Sequence, residues 1–146
     1  GDWSSDVCSS DLGIKPGKPL AFGAVRRSNN PGKEAWFIGM PGNPVSSFVT
    51  FILFVRPFIL ELQGRLDLMP PSFMVRADFD WLKPDRRNEF LRVRMNAQGG
   101  LDLFPNQSSG VLTSAAWGDG LLDCPAGQEF KKGDMVRYIP FSGMLS

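Results

Sequence analysis

The sequence predicts an α/β portion joined to an all-β one. These are the C-terminal part of an α/β domain over residues 13–64, a linker at 65–72, and a small β-barrel-like domain over 73–146. Three observations carry this. A strand, a tight turn and a long apolar helix follow one another between Ala35 and Leu62. Composition changes after Gly64, where Arg65 to Ser72 is built around Met69-Pro70-Pro71. Beyond it, short alternating apolar runs are separated by turn residues, the pattern of a small barrel or sandwich.

Residues 1–12 stand apart. Asp2 to Leu12 reads without a mismatch as the translation of a common sequencing adapter. The segment also lacks the basic start and apolar centre of a targeting peptide. The expectation is an adapter-derived segment ahead of a chain truncated at its N-terminus.

Lys15-Pro16-Gly17-Lys18-Pro19 comes next, a stiff cationic loop that leads into the apolar run Leu20 to Val25. After the turn residues Asn29 to Gly32, Ala35 to Met40 reads as a short buried strand. Pro41-Gly42 stops it. Asn43 is then a favoured N-cap and Pro44 a favoured first helical residue, since its missing N–H has no partner there in any case. Ser46 and Ser47 fall in the first helical turn, where free N–H groups and the helix dipole suit an anion. A well-capped connection without a ligand is the alternative.

Phe48 to Leu62 leaves almost no polar face. Such a helix is either a membrane span or buried. It is shorter than the ~20 residues a bilayer requires, and it carries Arg56-Pro57 and Glu61. The expectation is a kinked core helix rather than a span, with surplus apolar surface for a dimer partner. Gly64 ends it as a C-cap would. In the second part, Phe73–Phe79, Phe90–Met95, Leu101–Phe104, Gly120–Cys124 and Met135–Ile139 read as strands. Arg86, Arg92 and Arg94 read as solvated strand charges, and Arg26 and Arg27 as loop surface.

Charge and composition exclude several functions. Without Asp2, Asp6 and Asp11, 16 Lys and Arg face 12 Asp and Glu. The excess lies in residues 13–64, where Lys15, Lys18, Arg26, Arg27, Lys33 and Arg56 oppose only Glu34 and Glu61. That favours a small anionic ligand there. There is no basic stripe with interleaved aromatics, so no nucleic-acid partner is expected. The chain has no histidine, which excludes a Ser-His-Asp or Cys-His nucleophile within it. Beyond the first segment Cys124 is the one cysteine, read as a buried structural thiol in a reducing, cytoplasmic setting.

KPGKP, then a strand, then a strand ending in PGNPVS resembles the molybdopterin molybdenumtransferases of the MoeA and gephyrin E-domain type. The resemblance runs over about residues 13–146. Arg87-Asn88-Glu89-Phe90-Leu91-Arg92 is similar to that family's Arg-x-(Asp/Glu)-Phe-x-Arg strand start. Asn106 to Gly110, followed by Leu112 to Ala116, is similar to its Gln-x-Ser helical turn, and Gly120 to Phe141 to its closing strands. The fold implied is the C-terminal part of a molybdopterin-binding α/β domain followed by the family's C-terminal β domain.

The resemblance implies molybdenum cofactor biosynthesis: insertion of molybdate into adenylylated molybdopterin with release of AMP. A non-catalytic molybdopterin-binding or gephyrin-like scaffold module is the alternative. By motif, Lys15, Lys18, Pro19, Asn43, Ser46, Arg87 and Ser109 would line the pocket for molybdate and the pterin's phosphates. The donor types suit a tetrahedral oxyanion, which needs several fixed donors and positive charge. The resemblance also implies a homodimer, and a magnesium ion whose carboxylate ligand lies upstream, with no metal ligand in this chain. Without those upstream parts, the chain alone is expected neither to fold robustly nor to turn over.

Overall fold

A computed structural model describes residues 3–10, 13–16, 20–27, 30–40, 44–105, 107 and 118–142. Its strands are β1 (Trp3–Ser10), β2 (Ile14–Lys15), β3 (Leu20–Arg27), β4 (Asn30–Gly39), β5 (Phe73–Arg76), β6 (Asn88–Met95), β7 (Leu101–Leu103), β8 (Gly120–Cys124) and β9 (Met135–Pro140). Between β4 and β5 runs one continuous helical segment. It comprises α1 (Pro44–Thr50), a π-helical stretch (Phe51–Val55) and α2 (Arg56–Leu62).

Two sheets result. The first has the order β1-β3-β4 and is antiparallel throughout. The second has the order β2-β6-β8-β9-β5, with β7 also paired to β6. Its ladders are antiparallel except for β2, which lies parallel to β6 with Ile14 opposite Asn88 and Lys15 opposite Glu89. One isolated bridge, Ala77 to Leu101, links the chain after β5 to β7 and curls the sheet on itself. The expected barrel-like domain is thus a curled, mixed sheet whose ladder is not continuous around a closed barrel among the described residues. It is also not separate from the residues before the linker, because β2 supplies one of its edges.

Strand alternation sorts the side chains of the second sheet onto two faces. Inside the curl, Leu91, Val93, Leu122, Cys124, Val136 and Tyr138 pack with Ala77, Leu101 and Phe130. On the outer face, Phe90, Leu121 and Ile139 meet Ile14 and the helix residues Val49 and Ile52. Coverage on both sides explains why β8 reads as an almost unbroken apolar run. Gly120 lies where β8 meets β9, and a Cβ there would collide with the Ile139 carbonyl.

The helix departs from the expected kink in an informative way. Pro57 has no N–H to give, and the Arg56 N–H reaches the Phe51 carbonyl, a π-type bond just ahead of it. The proline is absorbed by widening one turn rather than by a break. The C-terminus matches expectation. Gly64, at φ +78°, donates to the Glu61 carbonyl at 2.9 Å, and Arg65 donates to the Leu60 carbonyl at 3.0 Å. This is a Schellman cap.

The burial expected of the first part needs two corrections. Val45, Val49, Ile52 and Val55 are buried, whereas α2 contains no buried residue. By length and composition alone, Val45–Leu62 could cross a membrane, a test that core helices of soluble proteins also pass. The Ala35–Met40 strand, expected to be buried, is exposed: Trp36 is 52% and Phe37 42% accessible. Phe22, Trp36 and Phe58 do cluster, Phe22 stacked on Trp36 at 5.7 Å and Phe58 edge-on to both. Nothing among the described residues covers the outer side of that cluster.

Candidate functional site

The parallel register of β2 and β6 sets the site. It puts Lys15 beside Glu89, at the end of β6 where the chain arrives through Asp85 and Arg87. The Asn88 N–H donates to the Gly13 carbonyl at 3.1 Å and fixes that register. The Asn88 side chain donates to Asp123 on β8 at 2.8 Å. Asp85 shapes the approach as an Asx turn: its Oδ1 accepts the backbone N–H of Arg87 at 2.9 Å. The Asp85 carbonyl in turn accepts the Gly127 N–H at 2.7 Å.

Two of the expected site residues therefore converge from distant parts of the sequence. Arg87 Nε donates to Asp85 Oδ1 at 3.2 Å, and Lys15 Nζ to Asp85 Oδ2 at 3.4 Å. Lys15 Nζ also lies 3.6 Å from Glu89 Oε2. The side chains of Lys15 and Arg87 are 45% and 38% accessible, that of Asp85 21% and that of Glu89 9%. The cations stand at the rim with Glu89 beneath them.

The electrostatics follow from this layering. The backbone N–H and then the side chain of Arg87, with Lys15 adding to them, hold the Asp85 carboxyl down at about 2. Glu89 moves the other way: burial raises its pKa and Asp85 adds to that, while Lys15 and Arg87 oppose it. Its Oε1 is buried with no hydrogen-bond partner. Behind it, the Cys124 thiol opposite Glu89 on β8 is pushed up by burial and by the carboxylates of Glu89 and Asp123. Cys124 is buried, as expected of a structural thiol, and its Sγ donates to the Gln128 carbonyl at 3.4 Å.

Ser46 lies in the first turn of α1 and is 3% exposed. Lys18, Pro19, Asn43 and Ser109 lie outside the described residues. Among the described residues no group of three or more His, Cys, Asp or Glu could hold a metal ion. Asp85 and Glu89 are both engaged by Lys15.

Two features escaped sequence reasoning. Arg92, expected to be a solvated charge, is 2% exposed, and burial lowers its pKa. It lies with its guanidinium 5.5 Å from the Phe104 ring. The apolar alternation of Phe-Leu-Arg-Val-Arg suggested a polar outer face. That face is covered here, so the arginine is enclosed. Gln107, the Gln of the Gln-x-Ser motif, acts on the backbone. It accepts the Arg92 N–H at 3.1 Å and donates to the carbonyls of Arg92 at 2.9 Å and Phe104 at 2.7 Å.

Residues 74–141 match the family model for the MoeA C-terminal region (domain IV). A molybdopterin molybdenumtransferase of Haemophilus influenzae is 41% identical over 95 residues, 63% of this chain and 22% of that protein. The molybdenum cofactor synthesis protein cinnamon of Drosophila melanogaster is 36% identical over 123 residues, 79% of this chain and 19% of its own length. The chain thus spans about a fifth of each of these curated relatives. Among solved structures, the molybdopterin biosynthesis moeA protein of Pyrococcus horikoshii superposes with a TM-score of 0.70 at 23% identity. The match covers 93% of this chain and 33% of that one, a likeness of fold.

Proposed function

The chain belongs to the MoeA-type molybdopterin molybdenumtransferase family, and on that premise we propose that it serves molybdenum cofactor biosynthesis by helping to bind a tetrahedral oxyanion. One observation carries the reading: Lys15 and Arg87 converge on a single carboxylate, that of Asp85, from two distant motifs. Cations that share one carboxylate are spaced to share one bound oxyanion. Arg87 would present its planar fork to two oxygens, and Lys15 would add a compact charge. Lys18, Pro19, Asn43, Ser46 and Ser109 complete the proposed pocket.

For the full-length protein, the proposed reaction is insertion of molybdate into adenylylated molybdopterin with release of AMP, in a cytoplasmic homodimer. Magnesium would be held outside this chain. No step assigned to this chain's residues runs through that ion. Their work is positioning and charge neutralisation, which lower the barrier when the reacting groups are held in register.

Molybdate titration by calorimetry of the full-length protein that carries this chain tests the reading. Arg87→Ala and Lys15→Ala should each weaken binding by roughly tenfold, the worth of one charge-assisted hydrogen bond. Equal affinity in wild type and both variants would sink it.

A further inference from the structure

We infer that Asp85 is an intramolecular competitor for the oxyanion, holding in the free chain the place the ligand takes and thereby setting affinity and charge selectivity. This rests on the reading above, that Lys15 and Arg87 receive an oxyanion. The geometry is that of a ligand. Asp85 divides its two oxygens between the two cations, Oδ1 to Arg87 Nε at 3.2 Å and Oδ2 to Lys15 Nζ at 3.4 Å. A tetrahedral oxyanion presents the two oxygens of an edge to a pair of cations in the same manner. It cannot do so while the carboxylate stays between them.

Three further observations fit a competitor rather than a fixed support. The loop does not depend on the carboxylate for all of its anchoring, since the Asp85 carbonyl is held separately by the Gly127 N–H. Asp85 stays ionised down to about pH 2, so across the neutral range only another anion removes it. Glu89 lies beneath, its Oε2 at 3.6 Å from Lys15 Nζ and its Oε1 buried without a partner. When Asp85 leaves, Glu89 retains Lys15 at the site.

The charged and titratable groups around the cluster are Lys15 on β2, Asp85 and Arg87 ahead of and at the start of β6, Glu89 on β6, and Asp123 and Cys124 on β8. Two cations against Asp85 and Glu89 leave the rim without net charge. A monoanion that replaces Asp85 gains little, while a dianion such as molybdate brings one charge more than the group it displaces. Selectivity for doubly charged oxyanions is the consequence.

The alternative, that Asp85 holds the cations in position for the ligand, predicts the opposite sign in the same experiment. Molybdate affinity is measured by calorimetry at pH 7 for the full-length protein that carries this chain and its Asp85→Asn and Arg87→Ala variants. Asparagine keeps an oxygen for the Arg87 N–H and drops the charge. Asp85→Asn should bind about fivefold more tightly, the scale of one exposed ion pair released. Equal or weaker binding, with Arg87→Ala weakened as expected, overturns the competitor and leaves the oxyanion site standing. Arg87→Ala that binds like wild type overturns both. A second measurement needs no variant: saturating molybdate should shift the Asp85 side-chain carboxyl carbon resonance of the wild-type chain as its ion pairs break. A resonance that stays fixed while the Arg87 Nε signal moves also overturns the inference.

Discussion

Gln107→Ala removes a side chain that completes the backbone bonding of β6 beyond the reach of a neighbouring strand. Three hydrogen bonds go with it, at 3.1, 2.9 and 2.7 Å. The Arg92 carbonyl keeps a second donor, the Phe104 N–H at 3.0 Å. The Arg92 N–H and the Phe104 carbonyl lose the bonds that Gln107 supplied, in residues only 2% and 7% exposed. A net ~1 kcal/mol per bond, with part of the penalty for stranding buried groups, gives a loss of about 2–4 kcal/mol. Urea unfolding followed by tryptophan fluorescence reads this directly. With a slope of roughly 1–3 kcal/mol per molar, the midpoint should fall by about 1–2 M. Gln107→Glu separates bonding from bulk: it keeps an acceptor for the Arg92 N–H but sets a carboxylate against two carbonyls. At neutral pH it should be destabilised about as much as the alanine variant, and it should recover in acid as the carboxyl takes up a proton. A midpoint shift under about 0.3 M for the alanine variant, within the uncertainty of such extrapolations, would refute the argument.

Three other outcomes are expected. Leu121 is fully buried between β8 and the helix, so Leu121→Ala should cost about 2–5 kcal/mol in the same unfolding assay. In pH-dependent melting, Asp78 and Asp85 both sit near 2, Asp78 through Arg76 and Asn96 and Asp85 through Arg87. A lowered carboxyl pKa stabilises the fold above its unfolded value and loses that contribution as pH falls through the folded value. The melting temperature should therefore drop between about pH 4 and pH 2, and Asp85→Asn should shrink the drop. Glu89 has the opposite sign: its raised pKa makes ionisation costly, so stability is lost as pH rises past the ordinary glutamate range. Glu89→Gln should flatten that loss.

The strands of the second sheet were legible because their alternation is local and each is bounded by turn residues. The helix was legible from its apolar run, and its end from Gly64. Burial was much harder to read. Arg92 looked like a surface charge because alternation says which residues share a face, not whether something covers it. Trp36 and Phe37 looked buried because they are apolar, and hydrophobicity likewise says nothing of whether a covering partner is present. At the site, Lys15 and Arg87 were identified through motifs, but the carboxylates between them were not. Asp85 and Glu89 acquire their roles from the β2–β6 register, a pairing between distant segments that no local pattern encodes. The structure gives Ser46 a buried place on α1, and Lys18, Pro19, Asn43 and Ser109 fall outside the described residues.

That register also bears on how the protein can be cut. The family match, residues 74–141, invites excision of the second sheet as a free-standing module. Cutting there removes Ile14 and Lys15 from the flank of Asn88 and Glu89, and strips Val49 and Ile52 from the outer face. What is left is a bare strand edge beside uncovered Phe90, Leu121 and Ile139, a surface that would recruit strands from other copies. A soluble minimal module would have to retain residues 13–16 and the helix, or carry a charged residue engineered into the freed edge of β6.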